Sequence, residues 1–218
     1  MSRSKIFAEL ASQDVSKTEF NKLDGVTAST TELNVVTGGI TTLGAVTAGT
    51  LGSNVVFPAG HILGSACIVN VTNDNDGSST GSNTLRVLNN VLYEVGLSVT
   101  LASSEWTFDE AGSYLISASA PGYGSNGYIV RLYSGTGSTL EATGTSEGSG
   151  PSSATQTRSF LNTKVVILDS QKTSGASEKS FGLYTIVESP RSVNGLGISN
   201  GDTTVEQHTQ VQIFKIQE

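Results

Sequence analysis

The stretch WTFDEAGSYLISASAP, residues 106–121, decides the fold of this chain. In its second half two sets of residues alternate: Tyr114, Ile116, Ala118 and Ala120 with Leu115, Ser117 and Ser119. A period of two is the pattern of a strand that buries one face and exposes the other. The stretch therefore predicts a half-buried β-strand.

The same pattern recurs on both sides of this stretch. Further strands are predicted at 63–71, 85–93, 97–102, 128–133, 163–168, 181–187 and 205–216. About eight short strands in roughly 160 residues, with no helical stretch between them, favour an antiparallel β-sandwich and exclude an alternating β/α architecture. We therefore expect an all-β fold.

The composition argues against several functional classes. The formal net charge is −7 and no two Lys or Arg residues are adjacent, so the chain would be repelled by a phosphate backbone and nucleic-acid binding is not expected. No stretch approaches the roughly 20 apolar residues of a membrane span. Cys67 is the single cysteine, so no internal disulfide forms, and with His61 and His208 it offers too few ligands for structural zinc.

The chain divides into two regions near residue 57. Residues 1–56 contain only Phe7 and Phe20 as aromatic residues and are rich in Thr, Gly, Ala and Val, so they cannot enclose a core of their own. Residues 57–218 contain all six Tyr and the Trp, together with the remaining Phe residues. We expect this second region to be the folded domain.

The first region contains an internal repeat. SKTEFN at 16–21 recurs as STTELN at 29–34, and each copy begins with the Ser-x-x-Glu capping pattern of a helix start. Short helical turns would end at Gly25 and Gly38 and are too short to be stable alone. We therefore expect an intertwined homo-oligomeric stalk, in which the packing residues are Phe20, Leu23, Leu33 and Val36. The alternative is a disordered linker rich in Thr and Gly.

Two polar stretches of the second region are predicted to be loops. Residues 134–158 contain few apolar residues and are interpreted as one long structureless loop. Residues 73–83 are rich in Asp, Gly and Ser. Long loops in compact domains are commonly binding loops or disordered segments, so both are candidate variable surfaces.

These stretches resemble marine bacteriophage fibre and virion appendage proteins. Residues 18–29 and 31–34 resemble the degenerate repeats of their shafts, and FPAGHI at 57–62 resembles the junction before their globular tips. Residues 106–121 are similar to the F-x-x-x-G-x-Y-x-I-x-A-x-A-P stretch of tips with a tumour-necrosis-factor-like, or complement-head-like, jelly roll. The closing strand at 205–216 also suits that fold.

The resemblance implies a homotrimeric virion protein that attaches to the host cell surface. It implies a jelly-roll tip at 57–218 on a short repetitive stalk with helical turns at 1–56. Through Ile6, Phe7 and Leu10 the N-terminus would dock into other virion proteins, unless these residues merely start the stalk packing. The tip would bind a host surface glycan or protein, for which the candidate residues are Tyr123, Tyr128, Leu140 and Glu141. No cofactor or metal is expected.

Three motifs suggest chemistry that their surroundings do not support. GISNG at 197–201 fits a nucleophile elbow followed by Asp202 and His208, but an elbow requires a strand before it and a helix after it. GYGSNG at 122–127 fits a dinucleotide fingerprint, but a strand-like sequence follows it. We interpret both as connections and His208 as structural.

The third motif is the calcium-like DNDG at 74–77. A calcium loop built on it would place Thr72 and Asn83 where Asp and a bidentate Glu belong, so a solvated turn is favoured. His61 is interpreted as structural and Cys67 as a small buried hydrophobic residue.

The sequence thus predicts a non-enzymatic virion fibre on the tail or the head. The alternative within the same class is a capsid or tail decoration or connector protein that does not bind a receptor. A carbohydrate-active enzyme is disfavoured, because Asp109 and Glu110 are adjacent and would point to opposite faces of a strand.

Overall fold

The computed structural model describes residues 59–72, 77–149, 155–199 and 206–217. These residues belong to a compact unit that spans Val56–Glu218. The predicted stalk, the anchor residues Ile6, Phe7 and Leu10, the calcium-like residues 74–76 and Asp202 lie outside the described residues. The boundary at residues 56 and 57 stays a prediction.

The described residues form strands and no helices. The strands are β1 (Ile62–Thr72), β2 (Thr84–Leu85), β3 (Asn90–Val95), β4 (Val99–Ala102), β5 (Glu105–Phe108), β6 (Gly112–Tyr123), β7 (Asn126–Ser134), β8 (Thr139–Ser149), β9 (Gln156–Ile167), β10 (Phe181–Val187) and β11 (Glu206–Ile216).

The strands form two antiparallel sheets. One has the order β3-β1-β11-β6-β9, and the other has the order β4-β5-β10-β7-β8 with β2 beside β10. The first and last strands are neighbours, and consecutive strands often lie in different sheets, which is the connectivity of a jelly roll. The predicted all-β sandwich is confirmed.

The core lies between the sheets and is organised by aromatic side chains. Trp106, Phe108, Tyr114 and Phe181 are fully buried. The ring of Phe108 lies 4.1 Å from that of Tyr114 and meets that of Phe181 edge-on at 5.5 Å. Residues 106–121 thus supply β5 in one sheet and β6 in the other, so they link the two layers through the core.

The predicted strand at 85–93 is two strands, β2 and β3. Between them the chain crosses from one sheet to the other, and the side chain of Arg86 is completely buried there. The side chain of Asn89 then makes the hydrogen bonds with Val71 that a neighbouring strand would make through its backbone. Its amide nitrogen donates to Val71 O, and its Oδ1 accepts from Val71 N, both at 2.8 Å.

The prediction of one long structureless loop at 134–158 is wrong. Residues 135–138 form a tight turn, β8 follows, and β9 begins at Gln156. β8 is an edge strand whose pairing with β7 comes from the backbone, and its exposed polar side chains therefore show no alternation that the sequence could reveal. Ser159 Oγ of β9 donates to Thr145 O at 2.6 Å, so β8 also joins the two sheets along this side.

Candidate functional site

The outward face of the five-stranded sheet is unusually apolar for an exposed surface. We call it the apolar face and define it by the outward side chains of β3, β1, β11, β6 and β9. The strand register places its first row at Ile62, Ile216, Ser113 and Val166, and its second row at Val95, Ser65, Phe214, Leu115 and Lys164. Val95 is 65% exposed, Val166 49% and Leu115 42%.

The next two rows of the apolar face contain amide and hydroxyl side chains together with aromatic and apolar ones. They contain Tyr93, Cys67, Gln212, Ser117 and Asn162, and then Asn90, Val69, Gln210, Ser119 and Phe160. Phe160 is 52% exposed, whereas Cys67 is buried, as predicted. Among the strand residues that the structure describes, no carboxylate lies in these four rows.

The apolar face also contains a groove of about 430 Å³. Leu115 and Phe214 border it on one side, and Asn162 and Lys164 on the other. A charge-poor surface with large apolar side chains and neutral hydrogen-bonding groups has the composition of the core of a protein interface.

On the outward face of the other sheet, by contrast, aromatic and charged side chains pair with one another. Tyr133 and Tyr184 pack edge-to-face at 5.2 Å, and Tyr184 OH donates to Glu105 Oε1 at 3.2 Å. Glu141 pairs with Lys179 at 2.7 Å and accepts from Ser134 Oγ at 2.6 Å. Burial by itself would raise the pKa of Glu141, but the bonds from Lys179 and Ser134 outweigh it and the pKa lies below its usual value.

The two ends of the sandwich differ in which strands begin and end there. We call the proximal end the one where β1 begins and β11 ends, near the hydrogen bond from Gly60 N to Gln217 O at 2.7 Å. We call the distal end the opposite one, where β6 ends at Tyr123 and β9 begins at Gln156.

The four predicted receptor residues do not form one patch. Leu140 and Glu141 lie near the proximal end, where Leu140 is exposed and pairs with Tyr133. Tyr123 lies at the distal end. Leu140 and Glu141 are therefore at one end of the sandwich and Tyr123 at the other.

Tyr128, a predicted receptor contact, is not exposed. Its ring is 1% exposed and belongs to the core, and its hydroxyl accepts a hydrogen bond from Ser159 N at 2.8 Å. Burial raises the pKa of Tyr128 to about 12, against the smaller lowering effects of the Ser159 N–H and of Arg86. The alternation of β7 places Tyr128 on the same face as Val130 and Leu132, which the sequence could have indicated.

The distal end is organised by a polar loop, residues 188–199. Ser79 N donates to Arg191 O at 2.8 Å, and Arg191 N donates to Ser79 Oγ at 3.1 Å. The Arg191 guanidinium lies over the Tyr123 ring at 5.6 Å, and its Nε donates to Gly124 O at 2.8 Å. Between Gly124 and residues 189–194 is an open cleft of about 460 Å³, which we call the distal cleft.

Arg86 supports this loop from inside the sandwich. Its guanidinium donates to Leu196 O at 2.6 Å, to Pro121 O at 3.2 Å and to Thr209 Oγ1 at 2.9 and 3.0 Å. It therefore ties the loop to β6 and β11. Sequence reasoning missed both Arg86 and Arg191; a lone Arg within the apolar run at 85–92 was the available signal for the former.

The structure describes the motif at 122–127 in full, residues 197–199 of the second motif and Gly77 of the third. Gly124 and Ser125 connect β6 to β7, and the rest of the 122–127 motif lies in those two strands. Ser199 Oγ donates to Glu206 Oε1 at 3.2 Å, and His208 Nε2 lies 3.5 Å from Glu206 Oε2. His208 is buried against Gly197, where an added Cβ would lie 2.6 Å from Nδ1. That the 197–201 motif is not catalytic stays a prediction.

The described part of the chain offers neither a metal-binding cluster nor a membrane-spanning helix. No group of three His, Cys, Asp or Glu side chains is placed to hold a metal ion there. No helix among those residues has the length and apolar character that would let it cross a membrane.

This chain is similar to known proteins in its structure but not in its sequence. No protein-family model matches the sequence, and no curated protein matches it significantly. Murine APRIL at pH 5.0 is similar at a TM-score of 0.44 with 9% identity, over 70% of this chain and 98% of that one. The vertex protein P5 of phage PRD1 is similar at a TM-score of 0.43 with 14% identity, over 72% of this chain and 99% of that one. At such identities most aligned side chains differ, and the sites of those proteins do not transfer to this chain.

Proposed function

We propose that this protein is a homotrimeric bacteriophage fibre or appendage protein, and that three copies meet through the apolar face. The observation that carries the proposal is the exposure of Val95, Leu115, Phe160 and Val166 on one charge-poor sheet face of a sandwich whose own core is complete. Large contiguous apolar patches on a folded domain mark interaction sites.

The distribution of side chains on the apolar face suits a ring of copies. Tyr93 and Val95 lie on the β3 flank, whereas Phe160 and Val166 lie on the β9 flank beside Lys164. A ring places the first flank of one copy against the second flank of the next, and it closes when the rotation repeats. The groove beside Leu115 has room for a large side chain of the neighbouring copy, such as Tyr93.

The residues that resemble phage fibre tips support the virion assignment. Residues 106–121 form β5 and β6, and β6 lies between β11 and β9 in the sheet with the apolar face. In this proposal residues 1–56 form the stalk, Ile6, Phe7 and Leu10 dock into other virion proteins, and the marine source implied by the resemblance stays a prediction. The protein is not an enzyme.

The distal end is the part of the sandwich proposed to face the host. The first strand of the sandwich, β1, begins at the proximal end, so the distal loops lie farthest along the sandwich from its start. Three copies would present three distal ends on one side, and such multivalency converts weak single contacts into firm attachment.

Labelling and competition with intact phage particles test this proposal. Antibodies to the protein are expected to label fibres or appendages in electron micrographs, and an excess of purified full-length protein is expected to reduce adsorption of the phage to host cells. Absence of label from particles would overturn the virion assignment. Label without any effect on adsorption would overturn the attachment role and favour a decoration or connector protein.

A further inference from the structure

The distal cleft is a second surface that the proposed trimer does not use. We infer that it is a saccharide-binding site through which the protein contacts the host surface, an inference that rests on the proposed attachment function. Gly124 forms one side of the cleft and residues 189–194 form the other.

The size and lining of the distal cleft suit a hydroxyl-rich ligand. Its volume of about 460 Å³ is within the range of roughly 300–1,000 Å³ found for small-molecule sites. Ser189, Ser192 and Asn194 line it, and hydroxyl and amide groups can both donate and accept hydrogen bonds, as sugar hydroxyls do. Val193 is 62% exposed and offers an apolar contact for the C–H face of a sugar ring.

The loop that forms the cleft is held in place before any ligand arrives. Glu188 N donates to Gly127 O at 2.8 Å, and Ser189 N donates to Ser125 O at 3.0 Å. Farther along the loop, Arg191 is bonded to Ser79 and Leu196 O accepts from Arg86. A loop that is already ordered loses little conformational freedom on binding, which favours affinity for small polar ligands.

The backbone beside the cleft is left-handed at two asparagines, the residue type that accommodates this conformation best after glycine. Asn194, on the loop, has a φ of 54°, and Asn126, which follows the other side, has a φ of 61°. The side chain of Asn126 is itself fixed by donation to Glu188 Oε2 at 2.9 Å.

Gly124 lets a charged side chain form part of the cleft wall. A Cβ at this position would lie 2.4 Å from Arg191 Nη2, so glycine leaves room for the guanidinium where it stands. The guanidinium is positioned by Gly124 O and by the Tyr123 ring. The cleft therefore combines a fixed cation with neutral hydrogen-bonding groups, and both neutral and acidic saccharides belong among the probes.

Binding of full-length protein to an array of defined neutral and acidic oligosaccharides tests the inference. The Ser192→Trp variant fills the cleft from an exposed position, and Asn194→Gly removes the amide while keeping the backbone conformation. Ser177→Trp, at an exposed position in the 168–180 loop, is the matched control. Circular dichroism and sedimentation verify that each variant keeps the fold and mass of the wild type.

The wild type is expected to bind at least one arrayed oligosaccharide. Ser192→Trp should weaken that binding by about tenfold or more, and Asn194→Gly by about threefold, while Ser177→Trp leaves it unchanged. Binding to no saccharide on the array, or equal binding by wild type and Ser192→Trp, would overturn the inference.

Competition with phage adsorption separates this inference from the proposed function. If wild type and Ser192→Trp reduce adsorption equally, the cleft assignment fails and the attachment role stands. If the wild type does not reduce adsorption, the attachment role itself fails.

Discussion

At the scale of single residues, Arg86 determines how the distal end is built. Its side chain is fully buried and its guanidinium contacts β6, β11 and the 188–199 loop through Pro121, Thr209 and Leu196. Hydrogen bonds from a charged donor are among the stronger ones in proteins, and their buried acceptors are costly to leave unpaired. The geometry of the distal cleft therefore depends on a residue that does not line it.

Replacing Arg86 with Met should both destabilise the fold and loosen the distal loop. We expect a loss of about 3 kcal/mol in the free energy of unfolding, because Leu196 O, Pro121 O and Thr209 Oγ1 lose their donor. Chemical denaturation at fixed protein concentration measures the loss, and hydrogen exchange locates it in residues 188–199.

The control for this substitution is Lys172→Met, which removes an exposed ion pair with Asp169. Its cost should be about 0.5 kcal/mol or less, as for other surface pairs. Equal costs for the two variants would show that the buried Arg86 contacts contribute nothing specific.

Tyr114 and Tyr128 give the protein a defined loss of stability at alkaline pH. Burial raises the pKa of each to about 12, from the ordinary tyrosine value of about 10. Between these two pH values the unfolded chain has lost the phenol protons that the folded chain retains, so stability falls as pH rises. Denaturation at a series of pH values should show this decline, and the Tyr114→Phe, Tyr128→Phe double variant should show a shallower one. An equally steep decline in the double variant would refute the assignment to these two tyrosines.

At the scale of elements, the buried side chain of Ser159 helps to close the side of the sandwich where β8 meets β9. Ser159 Oγ donates to Thr145 O at 2.6 Å and accepts from Val130 N at 3.1 Å, so one buried hydroxyl links β9 to both β8 and β7. Edge strands that remain open are prone to pair with other chains, and this link protects β8 against such pairing.

Removing the Ser159 hydroxyl should therefore be costly for its size. Ser159→Ala leaves Val130 N without that acceptor, and we expect a loss of about 2 kcal/mol in the free energy of unfolding. Ser146→Ala is the matched control on β8, where the side chain is exposed, and should cost under about 0.5 kcal/mol. Chemical denaturation of both variants checks this. Similar small losses in the free energy of unfolding would mean that the Ser159 hydroxyl does not stabilise the contact between β8 and β9.

The elements also show what the sequence could and could not predict. β6 and β10 were predictable because alternating apolar residues face the core along them, as at Tyr114 and Ile116. β8 was not, because an edge strand of Thr, Gly and Ser pairs through its backbone and leaves no pattern. β5 has only four residues, of which Trp106 and Phe108 enter the core. A strand of that length is too short to show a period in the sequence.

The candidate sites were less accessible from sequence than the fold. The apolar face depends on which strands lie side by side, and that order places Leu115 next to Phe214 although 99 positions of the numbering separate them. Tyr123 was selected from the sequence as a contact residue, but the cleft beside it is created by Arg191 from a distant loop. Long-range pairing of this kind has no local signal in the sequence.

At the scale of the whole molecule, the apolar face is expected to control assembly. Introducing a charge at Phe160 or Leu115 buries that charge if copies meet there, which is strongly unfavourable without a partner. Phe160→Glu and Leu115→Glu should raise the dissociation constant of the assembly by about a hundredfold or more. Leu140→Glu, an equally exposed position outside this face, is the control and should assemble like the wild type.

Sedimentation equilibrium of the full-length protein tests the central claim most directly. The account predicts a species of three times the 22.5 kDa chain mass, which Phe160→Glu shifts towards the single chain while circular dichroism still reports the β-sandwich. A wild-type protein that sediments as a folded monomer, with the apolar face exposed at all concentrations tested, would contradict it.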